Sequence, residues 1–118
     1  MVRIIAFWFP VIGCMGWIFY TSSIPGTDIP PLFPYQDIVY HGITFLILAY
    51  FFARALKNTY SKISARQLVI VTFLFGMMYG ISDELHQVFT PNRTASGFDV
   101  FIDSIGTFIG GLIWRLRI

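Results

Sequence analysis

The sequence has few charged residues for its length. Of its 118 residues, 12% are Asp, Glu, Lys or Arg, whereas 56% are hydrophobic. A water-soluble domain carries about 25% charged residues, so this composition argues against a soluble globular protein. It also excludes a disordered chain, which would be polar and highly charged. Cys14 is the only cysteine, and this excludes a disulfide scaffold.

The hydrophobic residues lie in four long stretches, at about residues 4–20, 38–56, 67–89 and 98–114. A helix needs roughly 20 mostly apolar residues to cross the hydrocarbon core of a bilayer. The sequence therefore predicts an all-α membrane protein, an antiparallel bundle of four transmembrane helices that forms a single domain over residues 1–118. A cleaved signal is disfavoured at the first stretch, since its charge-free run exceeds the roughly 7–15 residues typical of a signal peptide.

The basic residues predict the orientation in the membrane. With four spans, both termini and the loop at 54–66 share one side, and this side holds seven of the eight Lys and Arg residues. Cytoplasmic loops are enriched in Lys and Arg, so we expect both termini to be cytoplasmic. The basic loop is short and explained by topology, and no nucleic-acid signature is present. All six acids lie toward the other side, together with Arg93.

Polar residues gather at the outer ends of three spans. Asp37 and His41 are four residues apart at the start of the second span, and four-residue spacing places side chains on one helical face. In the third span, Glu84 and Gln87 continue a stripe that begins with Gly76 and Gly80.

The fourth span carries the equivalent stripe Asp99, Asp103, Gly106 and Gly110. Small residues at such spacing let helices approach closely in lipid, so we expect the polar ends of both stripes to face the bundle interior. A carboxylate inside a span is costly unless it is paired or hydrated, and it is therefore a candidate functional group.

Structural interpretations compete with the functional ones. Asp37 and Asp99 are also expected as helix caps, with Ser96 and Asp99 forming a capping pattern. Asp83 and His86 lie about 100° around the helix from Glu84 and Gln87, and we expect them to be solvated at the interface. Aromatic side chains, including Trp8, are expected to face lipid or to form an interfacial belt.

Several linked motifs resemble the VanZ-like family of small bacterial membrane proteins. They are TSSIPG from Thr21, Asp37 with His41, YGISDELHQ from Tyr79, PNR from Pro91, and Ser96, Asp99, Asp103 and Gly106 at matching spacing. The resemblance implies a protein of the bacterial cytoplasmic membrane, connected with resistance to teicoplanin-type glycopeptides. The positions that match its polar motif are Ser23, Asp37, His41, Glu84, Gln87, Arg93, Asp99 and Asp103. Ile38 and Asp103 depart from the family, whose members often have Lys and Asn there.

Three functional hypotheses follow. In the first, an outward-facing polar pocket binds or modifies a cell-envelope component such as a cell-wall precursor lipid or a lipophilic glycopeptide. In the second, the protein is an intramembrane hydrolase or transferase in which Glu84 or His41 is the general base. The third is a small ion- or proton-coupled transporter, whose continuous pathway would require an oligomer. A purely structural cluster is the remaining alternative, and the sequence identifies neither a cofactor nor a metal.

Overall fold

The protein forms four long helices. The computed structural model describes residues 2–93 and 97–117. The helices are α1 (Val2–Ser22), α2 (Gln36–Thr59), α3 (Ala65–Gln87) and α4 (Gly97–Arg117), and a short 3-10 turn covers Gly26–Asp28. Each of the four is long and apolar enough to cross a membrane, and the described residues contain no strand. This confirms the predicted all-α membrane fold, while Ser96 and its capping pattern lie outside the described residues.

Contacts between helix ends establish the antiparallel order. Trp8, early in α1, donates a hydrogen bond to Thr59 at the end of α2, whereas Thr21 at the end of α1 pairs with Tyr40 near the start of α2. The end of α3 in turn lies against the start of α4, because Gly80 faces Asp103. All the polar helix ends predicted to be on one side therefore meet at one end of the bundle.

Glycines allow α4 to pack closely against two neighbours. A Cβ atom at Gly76 would collide with Thr107, and one at Gly106 would lie 2.5 Å from the carbonyl oxygen of Gly42 in α2. Gly110 is equally close to the backbone of α2. The expectation that the glycine stripes mark close helix contacts is thus confirmed.

The apolar core extends from the polar end along the rest of the bundle. It centres on Phe45, Leu48 and Phe52 of α2 and Leu68 of α3, all of them buried. Trp8 packs edge-on against Phe52 and is half-buried, so part of its side chain contacts the core. Its indole N–H donates a hydrogen bond to the Thr59 hydroxyl oxygen, 2.8 Å away. The indole N–H of an interfacial tryptophan would instead bond to water or to lipid headgroups.

The proline-rich loop between α1 and α2 ends in a tight backbone turn. Tyr35 is the residue that precedes α2 and has a left-handed conformation, with φ of 63°. Asp37, expected as the helix cap, is instead the second residue of α2. A carboxylate in the first turn still interacts favourably with the positive end of the helix dipole. Gln36 closes the loop by accepting a hydrogen bond from Leu32 N–H and donating one to Pro30 O.

Candidate polar site at one end of the bundle

The centre of the candidate site is a histidine paired with an aspartate. His41 lies on the second turn of α2 and Asp103 on the second turn of α4, and these helices run parallel and in close contact. Nδ1 of His41 is 2.8 Å from Oδ1 of Asp103, whose carboxylate accepts the hydrogen bond. Both side chains are buried, His41 at 3% exposure and Asp103 at 0%. A carboxylate at Nδ1 fixes the orientation of an imidazole ring.

Asp83 also lies inside this cluster, contrary to the expectation that it is solvated. Its side chain is 6% exposed, and its Oδ1 accepts a hydrogen bond from the Ser22 hydroxyl at the end of α1. Gln87 Nε2 donates to the same hydroxyl oxygen at 3.3 Å. The expectation failed because α1 covers the face of α3 that carries Asp83, and its last turn supplies a polar partner.

Four buried residues converge closely enough to hold a metal ion. They are His41, Asp83, Glu84 and Asp103, and one ligand atom from each lies within 4.8 Å of the others. Imidazole and carboxylate groups together suit divalent cations. The burial of Glu84 and Asp103 agrees with the expectation that they face the bundle interior.

Two loops dock on each other above this cluster. Gly26 N–H donates to Pro91 O at 2.9 Å, and a Cβ atom at Gly26 would collide with the backbone of Asn92. Arg93 Nη1 donates to the carbonyl oxygens of Thr21 and Ile24, at 3.0 and 3.1 Å. Arg93 therefore ties its loop to the end of α1 through two backbone carbonyl oxygens.

A polar cavity of about 210 Å³ opens above the cluster. Of the expected site residues it is lined by Asp37, His41, Gln87, Arg93 and Asp99. Asp37 is exposed and Asp99 is half-buried, so these two carboxylates lie at the entrance rather than in the bundle interior. The structure thus brings five of the predicted residues around one cavity.

An apolar cavity of about 400 Å³ adjoins the polar one. Its walls include Ile24, Leu32, Phe33 and Val39. The two cavities share four lining residues, Ile29, Gln36, Asp37 and Arg93. We refer to these two adjoining cavities, at the proline-rich loop and the polar end of the bundle, as the amphiphilic recess.

Ser23 and His86 do not line either cavity. Ser23 Oγ is 2.8 Å from His86 Nε2, and the imidazole ring stacks on Phe19 with ring centroids 4.5 Å apart. His86 is half-buried by these contacts rather than fully solvated as expected. Ser23 and His86 therefore join α1 to α3 outside the two cavities.

Three residues of the site were not among the predicted site residues. Ser22 is the buried hydrogen-bond partner of Asp83, and Gln36 and Asn92 line the polar cavity. Ser22 and Asn92 fall within the TSSIPG and PNR motifs. These motifs are adjacent in space because their loops are hydrogen-bonded together, and this pairing could not be inferred from sequence spacing.

Comparison with known proteins identifies a family. The model of the VanZ/LLP1 family matches residues 7–118, which is essentially the whole chain. No curated protein and no solved structure matches the sequence significantly.

Proposed function

The chain belongs to the VanZ/LLP1 family, and from that premise we propose that its amphiphilic recess binds an envelope molecule with a polar head and a hydrocarbon chain. A cell-wall precursor lipid and a lipophilic glycopeptide both have this form. Binding of such a molecule would alter how teicoplanin-type antibiotics reach their target.

The observation that carries this proposal is that an apolar and a polar cavity adjoin each other and share four lining residues. An apolar recess of about 400 Å³ is large enough for part of an acyl or prenyl chain, and the shared residues place the polar recess directly beside it. Ligand sites are typically apolar recesses with a few convergent polar groups that fix the orientation of the ligand. Both features are found here within one recess.

The lining of the polar cavity favours a head group rich in hydroxyl and amide groups. Gln36, Gln87 and Asn92 offer amide donors and acceptors, and Asp37 and Asp99 offer carboxylate acceptors. Arg93 contributes the cationic donors. Because carboxylates accompany this one cation, a sugar or peptide head is a better match than a bare multiply charged anion.

We further propose that the recess opens on the outer face of the cytoplasmic membrane. Arg3, Arg54 and Lys57 belong to the opposite end of the bundle, and basic residues favour the cytoplasmic side. A site on the outer face would meet precursor lipids and antibiotics without transport across the bilayer.

The proposal is tested by teicoplanin tolerance in cells that depend on this protein for it. Asp37→Asn, Glu84→Ala and Arg93→Ala should each reduce tolerance when they are expressed at the level of the parent. Asp37→Asn is the most informative, since Asp37 is exposed and the substitution should leave the fold intact. Ser61→Ala, an exposed change at the opposite end of the bundle, is the matched control. Unchanged tolerance in all three site variants would contradict the proposal.

The His41–Asp103 pair favours one second candidate, an intramembrane hydrolase or transferase. A carboxylate that orients a histidine is the arrangement found where imidazole acts as a general base. Turnover of a labelled precursor lipid by purified protein, abolished in His41→Gln, would support this activity. Stoichiometric binding of the lipid without turnover would reject the enzymatic activity and support the binding function.

A further inference from the structure

We propose that His41, Asp83, Glu84 and Asp103 bind one divalent transition-metal cation, of the Zn²⁺ or Mn²⁺ kind. The four residues come from three different helices, and the tertiary fold alone brings their ligand atoms within 4.8 Å of one another. All four are buried, so the group is a preformed cluster rather than a patch of surface acids.

Two carboxylate oxygens in the cluster lack a protein partner. Oδ1 of Asp103 bonds His41 and Oδ1 of Asp83 accepts from Ser22, but Oδ2 of each has no hydrogen-bond partner among the described residues, although both are buried. A buried carboxylate oxygen without a partner costs free energy unless something satisfies it. A metal ion bound between the helices would do so.

The glycine at position 80 makes room for one of these oxygens. A Cβ atom there would lie 3.0 Å from Oδ2 of Asp103 and 3.2 Å from its Cβ. The close approach of α3 to α4 therefore places the Asp103 carboxylate beside the turn of α3 that carries Asp83 and Glu84.

The electrostatic balance of the cluster also calls for a cation. The Asp83 and Asp103 carboxylates lie together in a membrane-spanning region, and no lysine or arginine among the described residues forms an ion pair with either of them. Buried charges are retained where they are paired or bind metals. A dication would balance the charges of the Asp83 and Asp103 carboxylates.

The donor set indicates the class of ion. One imidazole with up to three carboxylates is a mixed nitrogen and oxygen set, whereas Mg²⁺ and Ca²⁺ prefer oxygen ligands alone. The hydrogen bond from Ser22 to Asp83 would orient this carboxylate, as outer-shell partners do in metal sites. His41 also lines the polar cavity, which supplies a route for the ion.

Metal content of the purified protein tests the site. The full chain, in detergent and with any polyhistidine tag removed, is stripped with a chelator, incubated with Zn²⁺ or Mn²⁺ in separate samples, passed over a desalting column and analysed by mass spectrometry of the metal. We expect about one equivalent of one of these ions per chain. Glu84→Gln and Asp103→Asn should lower the affinity at least about tenfold, since each replaces an anionic ligand by a neutral amide and even the loss of an outer-shell partner costs about 10–100-fold. Asp28→Asn, which removes an exposed carboxylate from the loop after α1, should retain the parent stoichiometry.

A second measurement guards against variants that fail to fold. Co²⁺ bound to the stripped wild-type protein should show ligand-field absorption bands that one equivalent of Zn²⁺ removes. Retention of less than about a tenth of an equivalent of either ion by the wild type would overturn the proposal, and so would equal retention by folded Glu84→Gln protein. The proposed metal site is independent of the proposed binding of an envelope molecule. If Asp37→Asn lowers teicoplanin tolerance but the wild-type protein retains no metal, the metal site is rejected and the binding function is supported.

Discussion

Replacement of Gly106 by alanine tests whether close contact between α2 and α4 holds the polar cluster together. The new Cβ would lie 2.5 Å from the Gly42 carbonyl oxygen and 3.3 Å from its Cα. The first distance is shorter than real Cβ contacts, and because the obstacle is backbone, no side chain can rotate away. The two helices would have to separate.

The magnitude follows from comparison with a glycine that has free space. At Gly16 no heavy atom lies within 4 Å of the position of a Cβ, so Gly16→Ala should only gain the helix propensity of alanine, about 0.8–1 kcal/mol. Gly106→Ala gains the same term but also incurs an overpacking cost of about 1–3 kcal/mol. The two variants should therefore differ in unfolding free energy by about 1–3 kcal/mol, with Gly106→Ala the less stable.

The assay is equilibrium unfolding in mixed micelles of increasing SDS fraction, followed by circular dichroism. Separation of the helices should also lengthen the contact between His41, which precedes Gly42, and Asp103, three residues before Gly106. Metal retention should therefore fall in Gly106→Ala and stay at the parent level in Gly16→Ala. Equal stability of the two variants would refute the argument that backbone contact at Gly106 sets the spacing of the helices.

Two further predictions concern the opposite end of the bundle and the orientation. In a double-mutant cycle, Trp8→Phe and Thr59→Val should show a coupling free energy of about 0.5–1.5 kcal/mol in the same unfolding assay. Each substitution removes one partner of the 2.8 Å hydrogen bond. Strictly additive effects would mean that this bond does not stabilise the protein. In a Cys14→Ser background, a membrane-impermeant maleimide added to intact cells should label Thr27→Cys and not Ser61→Cys, both of which are exposed positions in loops at opposite ends. The reverse labelling pattern would place the polar recess on the cytoplasmic side and contradict the proposed encounter with envelope molecules.

The sequence by itself determined the helices and the end at which polar residues gather. Hydrophobic length suffices for the helices, because a span needs a fixed number of apolar residues whatever it packs against. The glycine stripes likewise predicted close contacts correctly, since Gly76 and Gly106 have no side chain to keep a neighbouring helix away.

Only the tertiary structure decided which polar residues share one site. Helical periodicity assigns a residue to a face, but it does not say which element covers that face. Asp83 and Glu84 point about 100° apart, yet both are buried, because α1 covers one face of α3 and supplies Ser22 as a hydrogen-bond partner. The role of Arg93 depends in the same way on the docking of two loops that are about 65 residues apart in the chain. No local sequence pattern predicts a contact between residues so far apart.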